Sequence, residues 1–194
     1  MSHRTNELEK LIGIRSTIRE WRYHEFSRQS IGIILISVFG LIAQPLYANF
    51  AIGCSIVLLG LIVRLYASGF VLKNKELSTT GPYAFVRHPL YTGNILILMG
   101  VSFATSLPWT IVCSILFLWF YYPPAIEYED RKLKLLFPDT WNSWANQTPP
   151  LLPKLKTHDF NLSSWSWKKS LVNNYEPVIV FYVVIWLIVL ANRL

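Results

Sequence analysis

Arg87 and His88 stand at the threshold of an apolar run, in the segment GPYAFVRHPLYTGNILILMG (Gly81–Gly100). Pro89 suits the first position of a helix, since it has no N–H to satisfy and its φ is already helical. The free N–H groups of Leu90, Tyr91 and their neighbours would then form, with the helix dipole, a site for a carboxylate or phosphate. Arg87 and His88 could add donors, and Tyr83, Phe85 and Tyr91 aromatic walls. An interfacial anchor, with Arg87 on a lipid phosphate and Tyr91 in the aromatic belt, explains the same residues. Physical chemistry alone leaves both readings open.

A second group is Glu127-Tyr128-Glu129-Asp130-Arg131. Carboxylates opening an amphipathic helix suit its positive end. Turned inward, one or two of them could hold an amine, a cation or a ribose diol. Arg64 lies inside an apolar run, roughly two turns from its end at 3.6 residues per turn; pairing with a carboxylate is expected there, with snorkelling as the alternative. Gly53 and Gly60, seven apart, suit close helix packing rather than chemistry.

The elements that must position these groups are membrane helices. Of the 194 residues 53% are hydrophobic and 15% charged, a balance that points to an integral membrane protein. The net charge of +7 is spread between apolar runs rather than along one helix face, so a nucleic-acid partner is not expected. Cys54 and Cys113 fall inside apolar runs and read as small hydrophobes, with no disulfide or metal site. The opening MSHRTNELEK has no apolar region with a cleavage site, so a removable signal peptide is not expected.

The chain reads as one membrane domain over residues 1–194. Residues 1–29 carry six Lys or Arg and form a basic interfacial arm, in which Leu8, Leu11, Ile12, Ile14 and Ile18 partly fit a helical stripe. Five spans are expected at 31–47, 51–72, 89–104, 107–122 and 177–191, with Pro123-Pro124 stopping the fourth. An amphipathic helix covers Ile126–Phe137, an extended or turn segment Pro149–Pro153, and a Trp- and Lys-rich interfacial segment Ser163–Ser170. Six basic residues precede the first span; Lys73, Lys75 and Arg87 follow the second; seven lie between Arg131 and Lys169; the turns after spans one and three carry none. By the positive-inside rule the N-terminus and every candidate site residue are cytoplasmic.

Signatures of common soluble enzymes are missing: G-x-G-x-x-G, the P-loop, H-E-x-x-H, G-x-S-x-G and C-x-x-C. The two blocks GPYAFVRHPLYTG and EDRKLKLLFPDTWNSWANQTPPLLP, separated by a short helical hairpin, instead resemble the isoprenylcysteine carboxyl methyltransferase family of integral membrane enzymes. The matching positions are Gly81, Tyr83, Arg87, His88, Pro89, Tyr91 and Gly93, then Glu129, Asp130, Leu133, Phe137, Pro138, Trp141, Trp144 and Pro153. They cover roughly 75–153.

The resemblance implies an all-α membrane fold with a cytoplasmic-side cofactor pocket. It implies S-adenosylmethionine as methyl donor and S-adenosylhomocysteine as product. By position it assigns cofactor contacts to Lys75, Glu76, Leu77, Ser78, Tyr83, His88, Pro89, Leu90 and Tyr91. It places Asp130 nearest the reacting centre, with Glu129 and Arg87 beside it. The implied acceptor is lipophilic, a prenylated cysteine or a lipid entering from the bilayer. The chain departs from the family pattern at Ala125, where an arginine for the acceptor carboxylate is expected; Arg64 or Arg87 could serve instead. It also departs in carrying a fifth span beyond the Pro-rich block. Phospholipid N-methylation, an NADPH-dependent sterol-type reductase and a lipid-binding scaffold are the alternatives.

Overall fold

A computed structural model describes residues 4–71, 75–153 and 165–194. Of the expected features, the ends of the second span (Leu72) and of the arm (Met1–His3), together with Lys73, Ser163 and Ser164, lie outside the described residues. The described residues form helices and connecting turns, with no strand among them. In chain order the helices are α1 (Ile14–Tyr23), α2 (Glu25–Ile42), α3 (Tyr47–Ser68), α4 (Pro82–Phe85), α5 (Pro89–Ala104), α6 (Pro108–Leu136), α7 (Pro138–Gln147) and α8 (Glu176–Ala191). A single π-helical turn, Lys169–Asn173, precedes α8.

Three helices, α2, α3 and α6, are long and apolar enough to cross a membrane. The other two expected spans, α5 and α8, are apolar helices of 16 residues each. At 1.5 Å per residue they reach ~24 Å, short of a ~30 Å hydrocarbon layer. The bundle is inside-out by soluble standards: Ile34, Leu58, Ile62, Ile115, Trp119 and Phe181 all point outward. Such an apolar surface around saturated helices marks an integral, multi-pass membrane protein. Inside, Phe39, Val57, Val101, Phe117 and Val183 form the core.

Two pairs of glycines set the register of the central helices. A Cβ on Gly53 would lie 2.6 Å from the Gly100 carbonyl oxygen, and one on Gly60 2.8 Å from that of Gly93. The reciprocal contacts of Gly93 and Gly100 are as tight. The seven-residue spacing on both α3 and α5 therefore lets the antiparallel backbones touch at two points. That register puts Arg64 against the first turns of α5.

The largest departure from sequence expectation is α6. Pro123-Pro124 was expected to end the fourth span, yet the helix runs through both prolines for 29 residues. Pro124 has no N–H for the Phe120 carbonyl, which would otherwise be orphaned. Arg22 fills the gap: its Nε donates to the Phe120 oxygen at 3.0 Å. The helix is ~43 Å long, more than a bilayer core requires. Its residues up to Tyr122 are apolar, whereas its continuation carries Glu127, Glu129, Asp130, Arg131 and Lys134.

Other boundaries also shift. The first span, expected at 31–47, runs Glu25–Ile42, and the second starts at Tyr47 rather than 51, because Gln44-Pro45 lies in the connection between them and not inside the first helix. The interfacial helix is Ile14–Tyr23 rather than one centred on Leu8–Ile18. Residues ahead of it fold back instead: Arg131 donates to Glu7 and to the Arg4 carbonyl. The third span begins at Pro89 and ends at Ala104, as expected.

Candidate active site

The site forms where the two sequence blocks interlock at one end of the bundle. Pro89 opens α5, which leaves the N–H groups of Leu90 and Tyr91 without intrahelical acceptors. His88 is the residue before it and makes no side-chain cap. Its ring turns to α6, where Nε2 lies 2.7 Å from Asp130 Oδ1. Arg87 grips the same carboxylate from the other side, with Nη2 donating to Oδ2 at 2.7 Å and Nε to Oδ1 at 3.3 Å. Its Nη1 donates to the Thr148 and Ala145 carbonyls at 2.8 and 3.1 Å.

The rest of the second block closes over the first. Arg87 N and His88 N donate to the carbonyls of Pro149 and Pro150 at 2.8 and 3.0 Å. The Arg87 guanidinium stands 5.8 Å from the centre of the Trp141 ring. Trp144 Nε1 donates to the Tyr83 carbonyl at 3.0 Å. Arg87 and His88, offered by the sequence as donors to an anion, thus spend most of their capacity on Asp130 and on α7 and its following turn.

Asp130 sits in opposing influences. Burial alone would raise its carboxyl pKa, but the hydrogen bonds and charges of His88 and Arg87 outweigh that and hold it below the usual carboxylate range. Glu129, one position earlier, is half-buried and has no hydrogen-bond or ion-pair partner among the described residues. Its charge reaches Tyr83, whose hydroxyl is pushed far above its usual range, first by burial and then by Glu129. The two carboxylates therefore differ: Asp130 is committed, Glu129 is available.

Aromatic rings floor the site. Tyr91 lies between His88 and Tyr122, with ring centres 5.6 and 5.5 Å away. Arg28 of α2 donates to the Tyr91 hydroxyl at 3.2 Å and stands over its ring. Tyr83, Phe70 and Leu90 make a small apolar cluster on the other flank. Lys75–Ser78 lies beyond that cluster at the end of α3 and bonds elsewhere: Glu76 with Lys169 at 2.9 Å, Ser78 with the Phe70 carbonyl at 2.9 Å. Of the expected cofactor contacts, Tyr83, His88, Pro89, Leu90 and Tyr91 are gathered around the start of α5, whereas Glu76 and Ser78 bond to Lys169 and Phe70 instead.

A groove of about 840 Å³ leads away from Asp130. Ile95, Leu118, Tyr122 and Leu151 line its apolar part, while Glu127, Asp130, Arg131 and Lys134 line its polar end. Tyr23 of α1 donates to Glu127 at 2.9 Å on this side. Burial and then that bond push the Tyr23 hydroxyl up to about 12. Ala125, in place of the expected arginine, is buried in the helix packing.

Residues 35–140 match the phospholipid methyltransferase family, from α2 into α7. The chain belongs to that family. Its members include the isoprenylcysteine carboxyl methyltransferase-like membrane enzymes that the two sequence blocks resemble. The match holds every residue of the Arg87–His88–Asp130 cluster and Glu129. Among curated relatives, the cobalt-zinc-cadmium resistance protein CzcN of Cupriavidus metallidurans is 39% identical over 109 residues, 55% of this chain and 49% of that protein. The nickel-cobalt-cadmium resistance protein NccN of Alcaligenes xylosoxydans xylosoxydans is 38% identical over 92 residues, 47% of this chain and 41% of that one. The chain thus spans about half the length of the curated relatives it matches. No solved structure matches.

Some members of the site were hidden from sequence reasoning. Arg28, Asn94 and Tyr23 belong to stretches that read as arm or span, and nothing local marks their partners. Arg64 was expected to pair with a carboxylate, and that carboxylate is Glu176, at the start of α8. Arg64 Nη2 donates to Glu176 Oε1 at 2.8 Å and Nε to Oε2 at 3.2 Å.

Proposed function

We propose that this chain is an S-adenosylmethionine-dependent membrane methyltransferase acting on a lipophilic acceptor, a prenylated cysteine carboxylate or a lipid. The observation that carries the reading is the position of Asp130. It is held by Arg87 and His88 at the start of α5 and at the same time lines a groove whose other walls include Ile95, Leu118 and Leu151.

The donor set fits the methyl donor. Leu90 and Tyr91 N–H groups suit its carboxylate, Glu129 its amine, and Tyr83 and Tyr91 its adenine and sulfonium. When bound, S-adenosylmethionine supplies an electrophilic methyl group on sulfur. Everything else is asked of this chain's own residues. An acceptor carboxylate is already ionised at pH 7, so alignment and removal of water matter more than proton transfer. The apolar groove wall excludes water, and Asp130 with its two partners fixes the distance between α5 and α6. Arg87 acts by holding Asp130, and Glu129 by meeting the donor. In this reading five helices span, with the N-terminus and the site on the cytoplasmic side.

The match to the phospholipid methyltransferase family favours a second acceptor class, the amine of a phospholipid head group. The names of the two relatives raise a related proposal, that the methylated product contributes to metal resistance.

The test is calorimetry of the purified protein with S-adenosylhomocysteine and, separately, NADPH. Saturable binding of S-adenosylhomocysteine alone is expected, weakened about tenfold in Glu129→Gln, the equivalent of ~1.4 kcal/mol. Binding of NADPH alone would replace this reading with a reductase, and binding of neither with a lipid-binding scaffold.

A further inference from the structure

The family match ends at residue 140, yet a residue 36 positions later reaches the interior of the site's support. Glu176 is 1% exposed and forms a two-pronged ion pair with Arg64, itself 7% exposed. The remaining guanidinium nitrogen of Arg64 does not idle. Its Nη1 donates to Asn94 Oδ1 at 2.5 Å and to the Leu90 carbonyl at 3.5 Å, both on α5. Gly93 makes room for this approach, because a Cβ there would meet Arg64 Cγ at 2.4 Å. One cation thus joins the first turn of α5, the middle of the bundle and the last helix.

The stretch leading into α8 is docked with matching care. Trp165 Nε1 donates to the Tyr66 carbonyl at 3.1 Å and Ser166 N to that of Gly69 at 3.0 Å. Asn174 Nδ2 donates to the Ser68 carbonyl at 2.9 Å, and Ser170 shares a 2.7 Å bond with Ser68. Together they cap the end of α3, whose last carbonyls have no intrahelical partner. The segment ends on Tyr175, a non-glycine residue in the left-handed region at φ 54°, directly before Glu176. Such a conformation persists where its surroundings hold it.

We infer that Glu176 is a positioning residue for the methyl-donor site: through Arg64 it sets the first turn of α5, so that α8 is part of the site rather than an added membrane anchor. This rests on the proposed methyltransferase reading, because the affected groups are the Leu90 and Tyr91 N–H donors. The physical reason is the intolerance of a buried charge for a missing partner. Without Glu176, Arg64 must either turn toward water or draw in another acceptor, and both movements disturb Leu90 and Asn94. With Glu176 in place the cation is neutralised and its last donor is aimed at α5.

The experiment compares wild type with Glu176→Gln, with Arg64→Lys and with the charge-exchanged pair Arg64→Glu/Glu176→Arg. Each is measured for S-adenosylhomocysteine Kd and for thermal stability in detergent. A Leu90→Cys probe, in a background of Cys54→Ala and Cys113→Ala, reports maleimide labelling at the first turn of α5 without any ligand. Glu176→Gln is expected to raise Kd about tenfold and labelling severalfold. Arg64→Lys keeps the charge but loses the fork, and should give the same direction in a folded protein. The exchanged pair restores the ion pair but has no donor for the Leu90 carbonyl, so labelling should stay raised; recovery to the wild-type level would show that neutrality alone sets α5 and would overturn the role of the aimed donor. Lowered stability with unchanged Kd and unchanged labelling would reduce Glu176 to a packing residue and overturn the inference. If wild type fails to bind S-adenosylhomocysteine, the methyltransferase reading falls, while the labelling still decides whether Glu176 sets α5.

Discussion

Replacing Asp130 with asparagine tests the interlock of the two sequence blocks most directly. Asp130 accepts three hydrogen bonds, at 2.7 and 3.3 Å from Arg87 and 2.7 Å from His88. Bonds to charged groups contribute ~1.5–3 kcal/mol each, exposed ion pairs under ~1, and the loss of one partner from a buried pair costs ~3–5. The Arg87 and Asp130 side chains are 16% and 22% exposed, nearer the buried case. Asparagine keeps one oxygen, so one contact survives, but its NH₂ group faces an Arg87 donor. The expected loss is about 2–3 kcal/mol, a fall in melting temperature of roughly 4–12 °C for a chain of this size. The assay is a double-mutant cycle with Arg87→Ala, read by thermal unfolding in detergent. Its coupling energy should be about 1.5–2 kcal/mol, and additivity within ~0.5 kcal/mol would refute the clamp. The pH dependence carries a sign. The folded carboxyl is held below its ordinary value of 3.8. Its contribution is therefore complete above that value and is lost as pH falls through the lower folded one; Asp130→Asn should flatten that acid limb. On the proposed methyltransferase reading, methyl transfer should drop as well, and full turnover with unchanged donor affinity would remove Asp130 from the site.

Gly53→Ala should push α3 from α5, since its Cβ would lie 2.6 Å from both the Gly100 oxygen and the Ala104 Cβ. A destabilisation of ~1–3 kcal/mol is expected in thermal unfolding, and a change under ~0.5 would contradict the packing. Arg22→Ala should cost ~1–2 kcal/mol by leaving the Phe120 carbonyl bare, but far less in a Pro124→Ala background, where a backbone N–H returns to that oxygen. Equal costs in the two backgrounds would show that Arg22 does not serve the proline break.

Apolar run length, the basic residues between runs and Pro89 at the head of α5 are local signals, and they were legible from the chain alone. So was the meeting of the two sequence blocks at one end of the bundle, because a hairpin of two spans returns the chain to the side it left. Gly53 and Gly60 announced close packing by their spacing. The choice of partners was not legible. Local rules said that Pro123-Pro124 should stop a helix, since two N–H donors are lost there; Arg22, about a hundred residues earlier, supplies a donor from another helix and the chain continues. Arg64 advertised a missing carboxylate without saying which. The glycine register between α3 and α5 decides that Arg64 meets Asn94 and Leu90, and the docking of 165–176 on the end of α3 delivers Glu176. Likewise Glu129 and Asp130 are adjacent in sequence, yet only their directions on α6 make one a bound strut and the other a free carboxylate. Sequence determined the elements and the charges they carry, because those depend on neighbouring residues. Tertiary structure decided which charges are neutralised and which remain available, because that depends on what the packing brings within about 3 Å.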